Sequence, residues 1–347
     1  MSASLDIEIT RRCNLRCDYC FVGWDRGWHQ VMPKEIALQI IREGNGLYPC
    51  LHFTGGEPFS YPEIFELIEN GLALDYGEIL VNSNGTFFND EYAQRLGRYG
   101  PRIHISVSLD GPQEIHDKVR GVGRFEQTAQ GIDRLLAAGV RVTIMSVVTP
   151  AVLEVLPAFI HDLYKRHPEI VGVTLFPVGV GPEGTQKPGA TLRPLTPAEL
   201  RELALATVLL YRTGNNVGVA AYPLINPLLS ALGYPRERLY QCTAGRGRIC
   251  VHADLGVSTC HPVKDPVYGK WESGLFGRIH EFEAHKRMGN RDFDGCRTCA
   301  LKEDCGHCRA FVTTSGQPLY GNDEICRDAL PPVLGADVFL QLPVARK

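Results

Sequence analysis

The sequence predicts an α/β fold built on a parallel sheet, followed by a smaller cysteine-rich region. Two observations carry this. From residue 5 to about residue 176, short apolar runs alternate with amphipathic stretches, the pattern of repeated strand–helix units. Beyond that point the pattern lapses, and eight of the twelve cysteines fall between Cys242 and Cys326.

Taken in order, the predicted strands are Leu5–Thr10, Cys50–Thr54, Ile79–Ser83, Ile103–Leu109, Val140–Val148 and Val171–Phe176. Helical periodicity falls between them, over Pro33–Glu43, Pro62–Leu72, Glu91–Leu96, Phe125–Ala138 and Leu153–Arg166. Pro33 and Pro62 stand where a first helical turn tolerates proline, since its missing N–H would be unpaired there anyway. Residues 177–197 are too rich in Gly and Pro for regular structure, and a loop of that length at a strand end suits a substrate cover. An amphipathic bridging helix follows from Pro197 to about Tyr211.

At 347 residues the chain can bury one large core and one small one. A net charge of −3 gives no electrostatic case for nucleic acid. No apolar run approaches the ~20 residues of a membrane span, and no export signal is visible. Twelve cysteines in that context point to a cytoplasmic protein that ligates metal, not to a disulfide scaffold.

The most informative segment follows the first strand: Cys13-Asn14-Leu15-Arg16-Cys17-Asp18-Tyr19-Cys20. Three thiols cannot pair off as disulfides. Zinc would want a fourth ligand, and the nearest is His29. Three soft thiolates on one loop suit a cubane iron–sulfur cluster with its fourth iron open; a structural metal loop is the alternative. The CxxxCxxC spacing, with an aromatic before the last Cys, resembles the signature of the radical S-adenosylmethionine (SAM) enzymes. That resemblance implies a partial (β/α)6 TIM-like barrel, SAM bound to the open iron, and a 5′-deoxyadenosyl radical that abstracts hydrogen. Chemistry in such barrels gathers at the C-terminal ends of the strands.

Two further segments extend the resemblance. Thr54-Gly55-Gly56-Glu57-Pro58 resembles the family's GGEP motif, in which paired glycines let the backbone approach a ligand and the carboxylate meets the SAM amino group. Ser106 to Gly121 resembles the SLDG…HDxxRG stretch of sulfatase and peptide maturases. There Ser108 and Arg120 hold SAM, Thr54 orients the ribose and Tyr19 lies near the adenine. Read without the family, Ser108 is equally a helix cap and Arg120 a surface cation; Asn82 and Asn84 line the site or cap a turn.

In the C-terminal third, paired CxxC spacings would suit two zinc ribbons. Behind a radical SAM core, Cys296-x2-Cys299-x5-Cys305 instead resembles the SPASM domain, which carries two auxiliary 4Fe–4S clusters. Carried over by order, Cys242, Cys250, Cys260 and Cys308 serve the first auxiliary cluster, and Cys296, Cys299, Cys305 and Cys326 the second. Cys308 follows after two residues where the common pattern has three. The resemblance thus implies a core domain over 1–215, a SPASM domain over 216–330 and a tail over 331–347. Cys50 remains; ~13 Å from the reactive strand end at ~3.3 Å per residue, it reads as a core thiol.

The expected activity is hydrogen abstraction from a peptide or protein side chain, giving an oxidative modification or cross-link. The alternative is the same chemistry on a small molecule (a sugar, nucleoside or tetrapyrrole-type cofactor precursor), including epimerisation or decarboxylation. A non-catalytic electron carrier has no use for an open iron. His261 follows Cys260 where sulfatase maturases carry an Asp base, and serves as a base or a second hydrogen-bonding shell. Strand one begins within five residues of the start, so a peptide substrate is expected to need a separate leader-peptide recognition protein or direct binding, alongside an electron donor such as flavodoxin or ferredoxin.

Overall fold

In the computed structural model, residues 3–20, 22, 29–178, 192–220, 225–263, 265–289, 305 and 308 are described. Strand β1 (Ser4–Thr10) is buried at every position. Its Leu5, Ile7 and Ile9 join the hydrophobic core, and the alternate Ser4, Asp6 and Glu8 are also buried. A strand with polar groups buried on one face needs partners there, and the C-terminal part of the chain supplies them.

The six expected strands form within one residue of their expected limits: β1, then β2 (Cys50–Gly55), β3 (Glu78–Ser83), β4 (Ile103–Ser108), β5 (Arg141–Val148) and β6 (Gly172–Pro177). They pair in parallel and in sequence order, curling into the partial barrel. The strict burial alternation of β3 and β5 follows from one face against helices and one lining the barrel.

Helices α1 (Lys34–Gly44), α2 (Ile64–Ala73) and α3 (Asp90–Gly97) connect the first strands. Next come α4 (Gln113–Arg120), α5 (Arg124–Ala137), α6 (Pro150–Arg166) and α7 (Pro197–Arg212). Thr196 starts α7 with a reciprocal capping box to Glu199. Helix α4 is absent from the sequence reading because its eight residues, QEIHDKVR, carry too short an apolar stripe to stand out from a loop.

The sheet extends further than the six strands. β7 (Val217–Val219) pairs with β6, so the boundary expected at residue 215 falls between α7 and this strand. On the other side, β8 (Arg248–Val251) pairs in parallel with β1, and β9 (Val257–Ser258) returns antiparallel to β8. Among the described residues the sheet has nine strands, in the order β7-β6-β5-β4-β3-β2-β1-β8-β9. None of the described helices is long and apolar enough to cross a membrane.

Candidate active site

The cysteine loop leaves the C-terminal end of β1 and is rooted against the end of β2. Gly56 N donates to Thr10 O and Glu57 N to Arg12 O, both at 2.8 Å. A Cβ on Gly56 would stand 2.3 Å from Arg12 O; on Gly55, at φ +145°, it would stand 2.1 Å from Thr10 O. The sequence expects these glycines to admit a ligand. The close neighbour the fold gives them is the backbone at the root of the cysteine loop.

Cys13, Cys17 and Cys20 are half-buried. Leu15 N donates to Cys13 Sγ at 3.3 Å and Asn84 Nδ2 reaches it at 3.8 Å, while the same Nδ2 donates to Asn14 Oδ1 at 2.8 Å. Asn84, one of two candidates at the end of β3, thus braces the loop. Asp18 N donates to Val119 O at 3.0 Å, tying the loop's far end to α4. Burial pushes the Cys13 thiol up to about 12, with Glu57 and the other two thiols adding to it. Cys17 rises to about 11 through burial, against the pull of Arg120. Such thiols keep their protons until a bound cation displaces them.

No three His, Cys, Asp or Glu side chains among the described residues converge on a single ion. A cubane presents one iron to each thiolate and needs its ligands further apart, which fits three thiols on an eight-residue loop.

Glu57 is fully buried. Its Oε1 accepts from Phe59 N at 3.1 Å and Ser83 Oγ at 2.9 Å, and its Oε2 from Asn84 N at 2.7 Å. Three of a carboxylate's roughly four acceptor positions are filled, leaving one on Oε2. Burial outweighs these bonds and raises Glu57 to about 7, a setting in which an approaching ammonium would favour the ionised form.

Opposite stands a group the sequence reading missed. Asp110 has no exposed surface and accepts through Oδ2 from Arg120 Nε at 2.5 Å, and through Oδ1 from Val147 N at 2.7 Å. The Tyr19 hydroxyl hydrogen-bonds to the same Oδ2, and Arg120 Cζ lies 5.5 Å from the Tyr19 ring centroid. Asp110 therefore orients both expected ligand-binding residues. Arg120 spends Nε on it and keeps its terminal Nη groups as donors. Ser108 lies half-buried at the end of β4, paired with Met145. The "D" of SLDG was the signal available for Asp110.

Residues 7–157 match the sequence profile of the Radical SAM superfamily, a span holding the cysteine loop, Glu57, Asp110 and Arg120. The chain is similar to the radical SAM superfamily over that span. It is 34% identical over 168 residues to an AdoMet-dependent heme synthase of Oleidesulfovibrio alaskensis, covering 46% of this chain and 40% of that protein. It is 30% identical over 171 residues to the antilisterial bacteriocin subtilosin biosynthesis protein AlbA of Bacillus subtilis, covering 46% and 35% respectively. The matched region thus spans well under half the length of these curated relatives, which act in different chemistries.

Among solved structures, anSMEcpe with bound AdoMet superposes with a TM-score of 0.71 at 18% identity, covering 97% of this chain and 98% of that one. Streptococcus suis SuiB bound to precursor peptide SuiA gives 0.73 at 18%, covering 94% and 76%. At that identity they establish the chain's fold alone.

The chain's C-terminal thiols divide between described and undescribed residues. Cys242, Cys260 and Cys308 are buried in one small cluster with Ala244, Val263 and Met288. Burial pushes Cys260 up to about 12, with Cys242 adding to it. Cys250 is fully buried on β8, in register with Asp6 and Ser258, and lies outside that cluster of side chains. Cys305 is half-buried, and Cys296, Cys299 and Cys326 lie outside the described residues. Cys50 is buried at the start of β2 and raised to about 12 by burial, as a core thiol should be. Thr54 and His261 meet: Thr54 Oγ1 lies 3.0 Å from His261 Nδ1, although 207 positions separate them.

Proposed function

We propose that this enzyme reductively cleaves SAM and abstracts a hydrogen atom from a peptide or protein side chain, giving an oxidative modification or cross-link. One observation carries the reading: the three-thiol loop stands at the C-terminal ends of the parallel strands, with Glu57 on one side and the Asp110–Arg120–Tyr19 group on the other. Cys13, Cys17 and Cys20 would hold a 4Fe–4S cluster. When bound, that cluster supplies the electron that breaks SAM to methionine and a 5′-deoxyadenosyl radical.

The chain's own residues bind and orient. Glu57 offers its remaining acceptor position to the SAM amino group, and Arg120 its Nη donors to the carboxylate. Thr54 and Ser108 serve the ribose, Tyr19 the adenine, and Gly55 and Gly56 let the two loops close together. Cys242, Cys250, Cys260 and Cys308, with Cys296, Cys299, Cys305 and Cys326, would hold two auxiliary clusters in a SPASM domain, making three clusters in all. An electron donor such as flavodoxin or ferredoxin completes the system, in the cytoplasm.

The bacteriocin biosynthesis relative and the peptide-bound fold neighbour support the peptide substrate. The heme synthase, at slightly higher identity over 168 residues, supports a second reading, a tetrapyrrole-type small molecule. Anaerobically reconstituted protein with SAM and dithionite should release 5′-deoxyadenosine and methionine. Formation of S-adenosylhomocysteine instead would refute the reaction class. Turnover stimulated by a tetrapyrrole polycarboxylate and not by peptides would select the second reading.

A further inference from the structure

Glu8 lies on β1, two residues before the strand ends, with no exposed surface. Its Oε1 accepts from Arg11 Nε at 2.6 Å and from Ala253 N at 3.3 Å. Its Oε2 lies 2.7 Å from His261 Nε2 and 3.4 Å from His252 Nδ1. Of these four contacts, those from Arg11, Ala253 and His261 fill acceptor positions of the carboxylate, while His252 commits its Nε2 proton to Val263 O at 3.1 Å. Three of the four come from residues 252–261, so a barrel carboxylate is the receptor for the segment that ends at Cys260 and His261.

A carboxylate only accepts, so His261 Nε2 carries a proton and points at Glu8. Nδ1 is then the ring atom that meets Thr54 Oγ1 at 3.0 Å. Held at both nitrogens, the imidazole is a strut between β1 and the C-terminal end of β2. This arrangement suits an orienting role for His261, where the sequence alone left a base equally open. We propose that Glu8 is a positioning residue: through His261 it fixes the Thr54 hydroxyl at the SAM-facing end of β2 and joins it to the Cys260 loop. The inference rests on the assignment of Thr54 to the SAM site.

A double-mutant cycle on the full, anaerobically reconstituted chain tests it, reading SAM affinity by equilibrium dialysis and the auxiliary-cluster signal by electron paramagnetic resonance. Thr54→Val and Glu8→Gln should each weaken SAM binding about 3- to 10-fold, the scale of one lost hydrogen bond. The double variant should fall within about two-fold of the weaker single, because both changes cut one chain of contacts. Glu8→Gln should also shift the auxiliary-cluster signal, which a role confined to packing elsewhere would leave in place. Independent, multiplying effects would overturn the inference, as would parent-like affinity in Glu8→Gln while Thr54→Val is weakened. Parent-like affinity in Thr54→Val would overturn the Thr54 assignment as well. Should Glu8→Gln fail to fold or to load iron, His261→Gln takes its place in the cycle under the same criteria. It keeps a donor toward Glu8 and removes the contact to Thr54.

Discussion

Arg120 and Asp110 form a buried ion pair at 2.5 Å, ten positions apart, with the Tyr19 hydroxyl on the same carboxylate oxygen. Asp110→Asn keeps the shape and removes the charge, leaving Arg120 uncompensated. Breaking one side of a buried pair costs about 3 kcal/mol or more. Denaturant unfolding should register a loss of that order, and dialysis should show weaker SAM binding because Arg120 and Tyr19 lose their common anchor. Parent-like stability would mean the guanidinium finds another partner.

Gly56→Ala tests why the glycines are paired. The added methyl would meet Arg12 O at 2.3 Å, a backbone atom that yields only if the cysteine loop moves. Iron bound through Cys13, Cys17 and Cys20 should fall sharply, and SAM cleavage with it, while iron held by the C-terminal cysteines stays. Loss of iron from both regions would point to general unfolding.

Asp6 gives a pH-dependent prediction. Burial alone would raise it; Arg248, His52 and Ser4 outweigh burial and bring it down to about 2 from its ordinary 3.8. A carboxylate depressed on folding stabilises above its unfolded value and loses that contribution as pH falls through its folded one. The shift corresponds to about 2 kcal/mol, present near neutrality and lost between pH 3.8 and about 2. The stability difference between parent and Asp6→Asn, from denaturant midpoints across that range, should therefore shrink as the solution is acidified. A constant difference would contradict the assigned pair with Arg248.

Metal content tests the two proposed iron-binding regions. The reconstituted chain should hold about twelve irons if three cubanes load. Replacing Cys13, Cys17 and Cys20 by Ala should remove about a third and abolish SAM cleavage. Cys250→Ala should lower the iron or perturb the spectrum of the first auxiliary cluster if that buried β8 thiol is a ligand. Unchanged clusters with SAM cleavage intact but turnover stalled would make it a hydrogen-atom donor instead. Stoichiometric zinc in the natively prepared protein would remove the auxiliary-cluster proposal.

The six barrel strands were legible because each is a short apolar run bounded by turn residues, a signal written locally. Helix α4 and strands β7 to β9 were not, being too short for periodicity to register. The cysteine loop was legible for a similar reason: three thiols at fixed spacing imply shared chemistry wherever the chain goes. Glu57 and Arg120 could be named, but not that three donors already meet Glu57 or that Asp110 holds Arg120.

By itself the sequence determined the parallel α/β core, the thiol loop after β1 and the candidate residues at the strand ends, because alternating hydrophobicity and ligand spacing are properties of consecutive residues. Tertiary structure decided how the two ends of the chain meet. The pairing of β8 with β1, the reach of Arg248 to Asp6, and the Glu8–His261–Thr54 contact join residues more than 200 positions apart. Nothing local marks such contacts. Glu8 and Asp6 look like ordinary polar residues in a strand, and nothing in the motif that named Thr54 points to His261; only the closing of the sheet brings them their partners.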